Sequence, residues 1–265
     1  MKHFLLIFAL LFSFNLSQAQ GNGTSFEGVK ECINKTFSLS IHILTDTLGN
    51  QNVSDATIAN AINALNLSYK DICATFNICS TYVHPNVRND NVRMGIEDKE
   101  IATLFDVPNT INVYYVQDII GSANACGFAP LGSTTAPAQT SDRDAIFIKK
   151  SCAGGNTIIH EMGHYFGLLH TFETSTGVEL VDGSNCSTAG DLICDTKADP
   201  NPGTGMDPTV CDLTPPKQDA NGDYYVPNAC NYMSYYTPSC GSPYFSIGQF
   251  NRMLSIMNTG RKYLW

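Results

Sequence analysis

Hydrophobic and polar positions along the chain change period as it proceeds. In FSLSIHIL (37–44), Phe37, Leu39, Ile41 and Ile43 alternate with polar residues, the two-residue period of a half-buried strand. From Ser54 the period lengthens. Ile58, Ile62, Leu65, Tyr69 and Ile72 fall at steps of four and three, the apolar stripe of an amphipathic helix capped by Ser54 or Asp55. ICSTYVH (78–84), INVYYVQ (111–117) and AIFIKK (145–150) are rich in β-branched and aromatic residues, and are predicted strands. A strand–helix–strand–strand order ahead of residue 150 predicts a mixed α/β fold, a twisted mixed sheet with helices packed on it. His42 and His84 lie in two of these strands without a partner motif, and are expected to be ordinary satisfied histidines.

Beyond residue 170 the periodicity stops. Residues 171–245 are rich in Gly, Pro, Asn and Ser and carry five of the ten cysteines, so an irregular subdomain held by cross-links is expected there. A last helix starts at Ser246, where SIGQ has the spacing of a capping box and Phe250, Met253, Leu254 and Met257 form one apolar face.

The first residues, MKHFLLIFALLFSFNLSQAQ, fit neither pattern. A short basic start, an apolar run over 4–14 broken only by Ser13, and a small-x-small step at Ser17–Ala19 describe a secretory signal over 1–19. Such a run is too short to span a bilayer, and no other segment approaches that length, so no membrane partner is expected. Residues 20–36 then read as a loose arm or short pro-segment, and 37–265 as one domain. Export to the periplasm or outside the cell makes the ten cysteines candidates for disulfides. An even count favours Cys32 being paired, rather than held as a thiolate that silences a metal site. No CxxC pair is present to support a cysteine-only zinc site. The formal charge of −9 disfavours nucleic acid as a partner.

The chemistry concentrates in HEMGHYFGLLH (160–170). On a helix beginning near Asn156, His160 and His164 project from one face a turn apart, so both imidazoles reach one tetrahedral ion at about 2.0–2.1 Å. Glu161 is rotated by about 100° from His160, off the ligand face but within reach of a water activated at the metal. Gly167 permits the sharp turn that brings back His170 as third ligand. Three neutral histidines leave a coordination position open, which marks a catalytic rather than a closed structural site. Zinc lowers the pKa of its water to about 7, and Glu161 can take that proton and pass it to the leaving amine.

The extended HExxHxxGxxH motif resembles that of the metzincin metallopeptidases. With CGFAPLG (126–132), GDLICDT (190–196), NYMSYYTPSC (231–240) and FSIGQFNRM (245–253), spread over roughly residues 111–257, the chain resembles the pappalysin family, of the ulilysin-like kind. The resemblance implies a metzincin-type catalytic domain with His160, His164 and His170 on zinc and Glu161 as general base. It implies Met233 as the methionine of a structural turn beneath the metal, and Tyr235 as the phenol that stabilises the tetrahedral intermediate. It further implies disulfides Cys186–Cys230 and Cys211–Cys240, and a calcium loop with Asp191 and Thr196 as ligands. Eight aspartates against two lysines over 182–223 suit a hard cation. Two departures stand out: Asp195-Thr196 is followed by Lys197 rather than proline, and no acid lies between Tyr235 and Cys240 to favour basic substrates.

The expected function is a secreted, monomeric zinc endopeptidase that binds an extended polypeptide by strand addition to AIFIKK as an edge strand. An inactive peptide-binding module on the same fold, and a zinc hydrolase of small amides or esters, are the alternatives.

Overall fold

The computed structural model describes residues 32–85, 90–121, 125–134, 144–200, 205–207, 209, 211–236 and 241–265; the expected signal segment, most of the arm and Cys240 lie outside them. Strand β1 (Lys35–Leu44) starts two residues before the alternating run, because Lys35 and Thr36 pair with Ala74 and Thr75 at the head of β2 (Ala74–His84). Between them runs α1 (Asp55–Ser68), whose cap is Ser54: its hydroxyl accepts the Thr57 amide at 3.1 Å. Then come β3 (Asn91–Arg93), α2 (Glu97–Phe105), β4 (Ile111–Val116), β5 (Asp118–Ile120), β6 (Gly127–Phe128) and β7 (Ala145–Lys149). The chain continues through α3 (Asn156–Tyr165) to the two-residue strands β8 (Met206–Asp207) and β9 (Asp212–Leu213), and ends on α4 (Ile247–Asn258).

The main sheet has the order β2-β1-β4-β7-β6, with β2, β1, β4 and β7 parallel and β6 antiparallel to β7. Parallel neighbours cannot be joined by hairpins, so each needs a crossover. Helix α1 supplies the one between β1 and β2. Helix α2, which the hydrophobic pattern does not predict, lies between β2 and β4. One sheet face packs its Phe37, Leu39, Ile41, Val113 and Ile148 against residues of α1, α3 and α4. The other face packs Leu44, Tyr114, Val116 and Phe147 against Ile101 of α2 and Val92 and Ile119 of β3 and β5.

Covering both faces changes the character of β1. The alternation predicts a half-buried strand, but Ser40 and His42 are as buried as their apolar neighbours. Both are satisfied. Thr110 Oγ1 donates to Ser40 Oγ at 2.9 Å, and the His42 ring bonds to His84 and to Asn112 Oδ1, each at 3.0 Å. The expected edge strand also moves inward: β7, the AIFIK run, lies between β4 and β6, and the edge on that side is β6.

Disulfides staple the ends of these elements. Cys32 is bonded to Cys73, tying the approach to β1 to the head of β2, and Cys126 to Cys152, tying β6 to the chain just past β7. Cys186 is bonded to Cys194 rather than to Cys230. The intervening loop turns back on itself and brings the two Cα atoms to 5.0 Å, within bridging range, so the sulfur is used locally. Cys211 is in a disulfide as well, and its expected partner Cys240 lies outside the described residues.

Candidate active site

Helix α3 turns Ile158, Ile159, Met162 and Tyr165 into the core, which leaves His160 and His164 on the opposite side of the helix. What ends the helix also places the third histidine. Gly167 has φ +88°, its amide donates to His164 O at 2.8 Å, and the Leu168 amide donates to Gly163 O at 2.9 Å. This pair of bonds is a Schellman motif, in which a left-handed glycine closes the helix and reverses the chain. His170 returns over α3 as a result. The three Nε2 atoms converge: His164 to His170 is 3.0 Å and His170 to His160 is 3.2 Å.

The opposite ring nitrogens explain how the Nε2 atoms are used. His160 Nδ1 lies 2.6 Å from Tyr232 O, and His164 Nδ1 lies 2.7 Å from Leu168 O. A carbonyl only accepts, so both Nδ1 atoms carry the proton and both Nε2 atoms present lone pairs. Two lone pairs aimed at a third ring nitrogen call for a cation. A tetrahedral ion with bonds of about 2.0–2.1 Å needs ligand nitrogens about 3.3–3.4 Å apart, close to the observed spacing. The residues therefore fit zinc. Burial lowers the basicity of all three rings, and the neighbouring imidazoles add to this at His160, which falls to about 4, and at His170. The site is thus held in the neutral form that ligates metal.

Glu161 is buried beside the triad, its Oε2 has no protein partner, and burial raises its pKa to about 8. The edge strand packs directly on it. A Cβ on Gly127 would lie 2.8 Å from both Cγ and Oε1 of Glu161 and 2.9 Å from Phe147 O, so only glycine lets β6 approach this closely.

The turn at 231–236 closes the site from the other side. Met233 is fully buried, its amide bonded to Asn231 Oδ1 at 2.8 Å and its carbonyl to the Thr171 amide at 3.2 Å. Tyr235 is half-exposed, with its ring centroid 4.7 Å from that of His170 and 5.6 Å from that of His160. Partial burial, and then the Glu161 charge, raise its pKa. Asp199, which no sequence motif marks, binds this turn to the histidine loop. It accepts from Tyr236 OH at 2.8 Å and from Thr171 Oγ1 at 2.9 Å. Neither Gly127 nor Asp199 stands in a pattern that names a role; only the strand pairing and the chain reversal bring them here.

Asp191 and Thr196 also meet. Thr196 Oγ1 donates to Asp191 Oδ1 at 2.9 Å, and the Ile193 amide donates to the same oxygen at 3.0 Å. Asp191 Oδ2 has no protein partner, nor has Oε2 of Glu179, a buried carboxylate that the sequence reading did not single out. Burial raises both carboxyls to about 7, and the Asp191 charge adds to the rise at Glu179.

Residues 95–258 match the family described as pregnancy-associated plasma protein-A, Peptidase_M43. The extracellular metalloprotease of Colletotrichum graminicola is 24% identical over 259 residues, spanning 93% of this chain and 84% of that protein. The extracellular metalloprotease of Arthroderma gypseum is 29% identical over 255 residues, spanning 91% and 79%. Among solved structures, Tannerella forsythia mature mirolysin in complex with a cleaved peptide superposes with a TM-score of 0.60 at 19% identity, covering 86% of this chain and 94% of that one. That likeness is one of fold. With the family match extending across the histidine triad and the turn at Met233, the chain belongs to the Peptidase_M43 family, the pappalysins, and is a secreted metalloendopeptidase.

Proposed function

We propose that the enzyme cleaves internal peptide bonds of extended polypeptides, with zinc on His160, His164 and His170. The convergence of three Nε2 atoms, at least two of them lone pairs, carries this reading. Zinc bound there supplies a Lewis acid that polarises the scissile carbonyl and makes water nucleophilic near neutral pH. Glu161 takes the proton of the attacking water and delivers it to the leaving amine, a role supported by its burial beside the triad with Oε2 free of any protein hydrogen bond. Tyr235 donates its phenolic hydrogen to the oxyanion of the tetrahedral intermediate, which its place over His160 and His170 supports.

The substrate backbone adds to β6 rather than to β7, because β6 is the last strand of the sheet among the described residues and lies against Glu161. The mirolysin structure, a complex with a cleaved peptide, supports a peptide as the bound species. A denatured protein incubated with and without a chelator separates this reading from a binding module and from a hydrolase of small esters. Chelator-sensitive cleavage is expected, and intact protein in both tubes would refute it.

Calcium is proposed at Asp191 and Thr196, with Glu179 as a further carboxylate. The two buried oxygens without protein partners support a hard cation between these acids.

Glu161→Gln should abolish hydrolysis while zinc stays near one ion per chain, measured by metal analysis; loss of zinc would place Glu161 among the ligands. Tyr235→Phe should lower kcat by about 10–1000-fold, by analogy with removing one oxyanion donor, with KM and zinc content little changed. An unaltered kcat would leave Tyr235 a packing residue. Gly127→Ala should lower kcat by about 10–100-fold, the scale of an ångström-sized displacement at the reacting groups. If kcat keeps its wild-type value, β6 does not constrain Glu161. Finally, raising calcium from zero to about 100 times its Kd should stabilise the fold by about 2.7 kcal/mol. A melting temperature indifferent to calcium would remove that ion from the assignment.

A further inference from the structure

The buried turn that carries Met233 is held by an amide pair whose second member lies on the last helix. Asn231 Nδ2 donates to Gln249 Oε1 at 2.9 Å, and Gln249 Nε2 donates back to Asn231 Oδ1 at 3.0 Å. Gln249 has no exposed surface and Asn231 only 5%. Each amide oxygen also accepts a backbone N–H, from Met233 on one side and from Ser246 on the other, both at 2.8 Å. Those two fixed donors determine which end of each amide is oxygen, so the pair has a single satisfied orientation.

Gln249 therefore does two separable things. Locally it completes the capping box of α4 with Ser246, as SIGQ predicts. At long range it fixes Asn231, and the residue after Asn231 supplies the carbonyl that accepts from His160 Nδ1. Capping requires no contact with residue 231. The start of α4 is itself set from elsewhere: Asp195 accepts from Ser246 Oγ and from the Gly248 amide, both at 2.7 Å. The chain entering α4 adds backbone bonds to the turn, Tyr232 N to Tyr244 O at 3.1 Å and Tyr244 N to Cys230 O at 2.8 Å.

We propose that Gln249 is a positioning residue for the zinc site, acting through Asn231 on the Tyr232 carbonyl that orients His160. The proposal rests on the zinc reading above. Groups that orient a ligating histidine typically change metal affinity by 10–100-fold when lost.

The test uses the zinc-loaded full chain, with zinc Kd from chelator competition, melting temperature, and kcat with KM. Ser246→Ala breaks the cap but spares the amide pair; it should lower the melting temperature and leave the zinc Kd within about twofold of wild type. Gln249→Leu should raise the zinc Kd by about 10–100-fold and lower kcat more than it changes KM. Asn231→Leu should do the same, and the double variant should be no worse than the worse single, since both remove one interaction. Should Gln249→Leu fail to fold, Gln249→Glu decides by the same Kd measurement. It keeps the acceptor for Ser246 N and Asn231 Nδ2, but its carboxylate puts a second oxygen and a charge where Nε2 donated to Asn231 Oδ1, so a raised Kd is again expected. A Gln249 variant that melts like Ser246→Ala but holds zinc like wild type would overturn the proposal and leave Gln249 a cap. A wild-type chain that binds no zinc at the triad would overturn the metal reading first, and this proposal with it.

Discussion

Three ring nitrogens held within 4.8 Å of one another, two of them presenting lone pairs, are the constraint on which the rest of the site depends. His160 and His164 aim lone pairs inward because their protons are committed to carbonyls on the far side. Left to themselves, such rings would turn to water or take up protons and separate. The fold prevents both. Burial disfavours the imidazolium form, so protons compete weakly with a metal for the same lone pairs. A helix, its glycine stop, and the buried turn at Met233 remove the rotations by which the rings could part.

The two parts of the chain contribute differently to that restraint. The sheet and its helices supply rigidity through burial: α3 lies on a layer of β-branched and aromatic side chains that is filled from both faces. Among the described residues, the stretch after His170 has one small apolar cluster of its own, Ala198, Leu213, Tyr225, Ala229 and Tyr236. Its order comes from bonds between specific groups, with Asp199 drawing Thr171 and Tyr236 together and Arg252 donating to the carbonyls of Asp191 and Leu192, each at 2.7 Å. Such order depends on each partner individually, where a packed layer tolerates exchange of one apolar side chain for another.

What could be read from the sequence follows the range of the interaction that encodes it. The spacing of His160, His164 and His170 is local, as are the Ser54 and Ser246 caps, and each appears in the structure where the pattern puts it. Strand order is not local. AIFIKK looks the same whether it is an edge or has a neighbour, and the two residues of β6 are too few to show any period. Helix α2, at nine residues, buries only Asp98, Ile101 and Ala102 and gives a correspondingly weak stripe. The disulfide at Cys186 failed for a related reason: resemblance offered Cys230, whereas the loop geometry offers Cys194 at eight residues' separation. The roles of Gly127, Asp199 and Gln249 depend on partners 18 or more residues away, and no spacing rule reaches that far.

The acceptors that orient His160 and His164 are the main-chain oxygens of Tyr232 and Leu168, not side chains. A main-chain oxygen is present whatever residue occupies the position. Exchanging the side chain at 232 or 168 therefore cannot delete the acceptor; it can act only by moving the chain. The orienting layer of this site is written in the path of the backbone, so it responds to whatever moves that path, an insertion or deletion in either loop above all, rather than to which side chain stands at the acceptor position itself. A directed-evolution library built on this scaffold can vary the partly exposed side chain at 232, provided loop lengths and the buried apolar residue at 168 are kept.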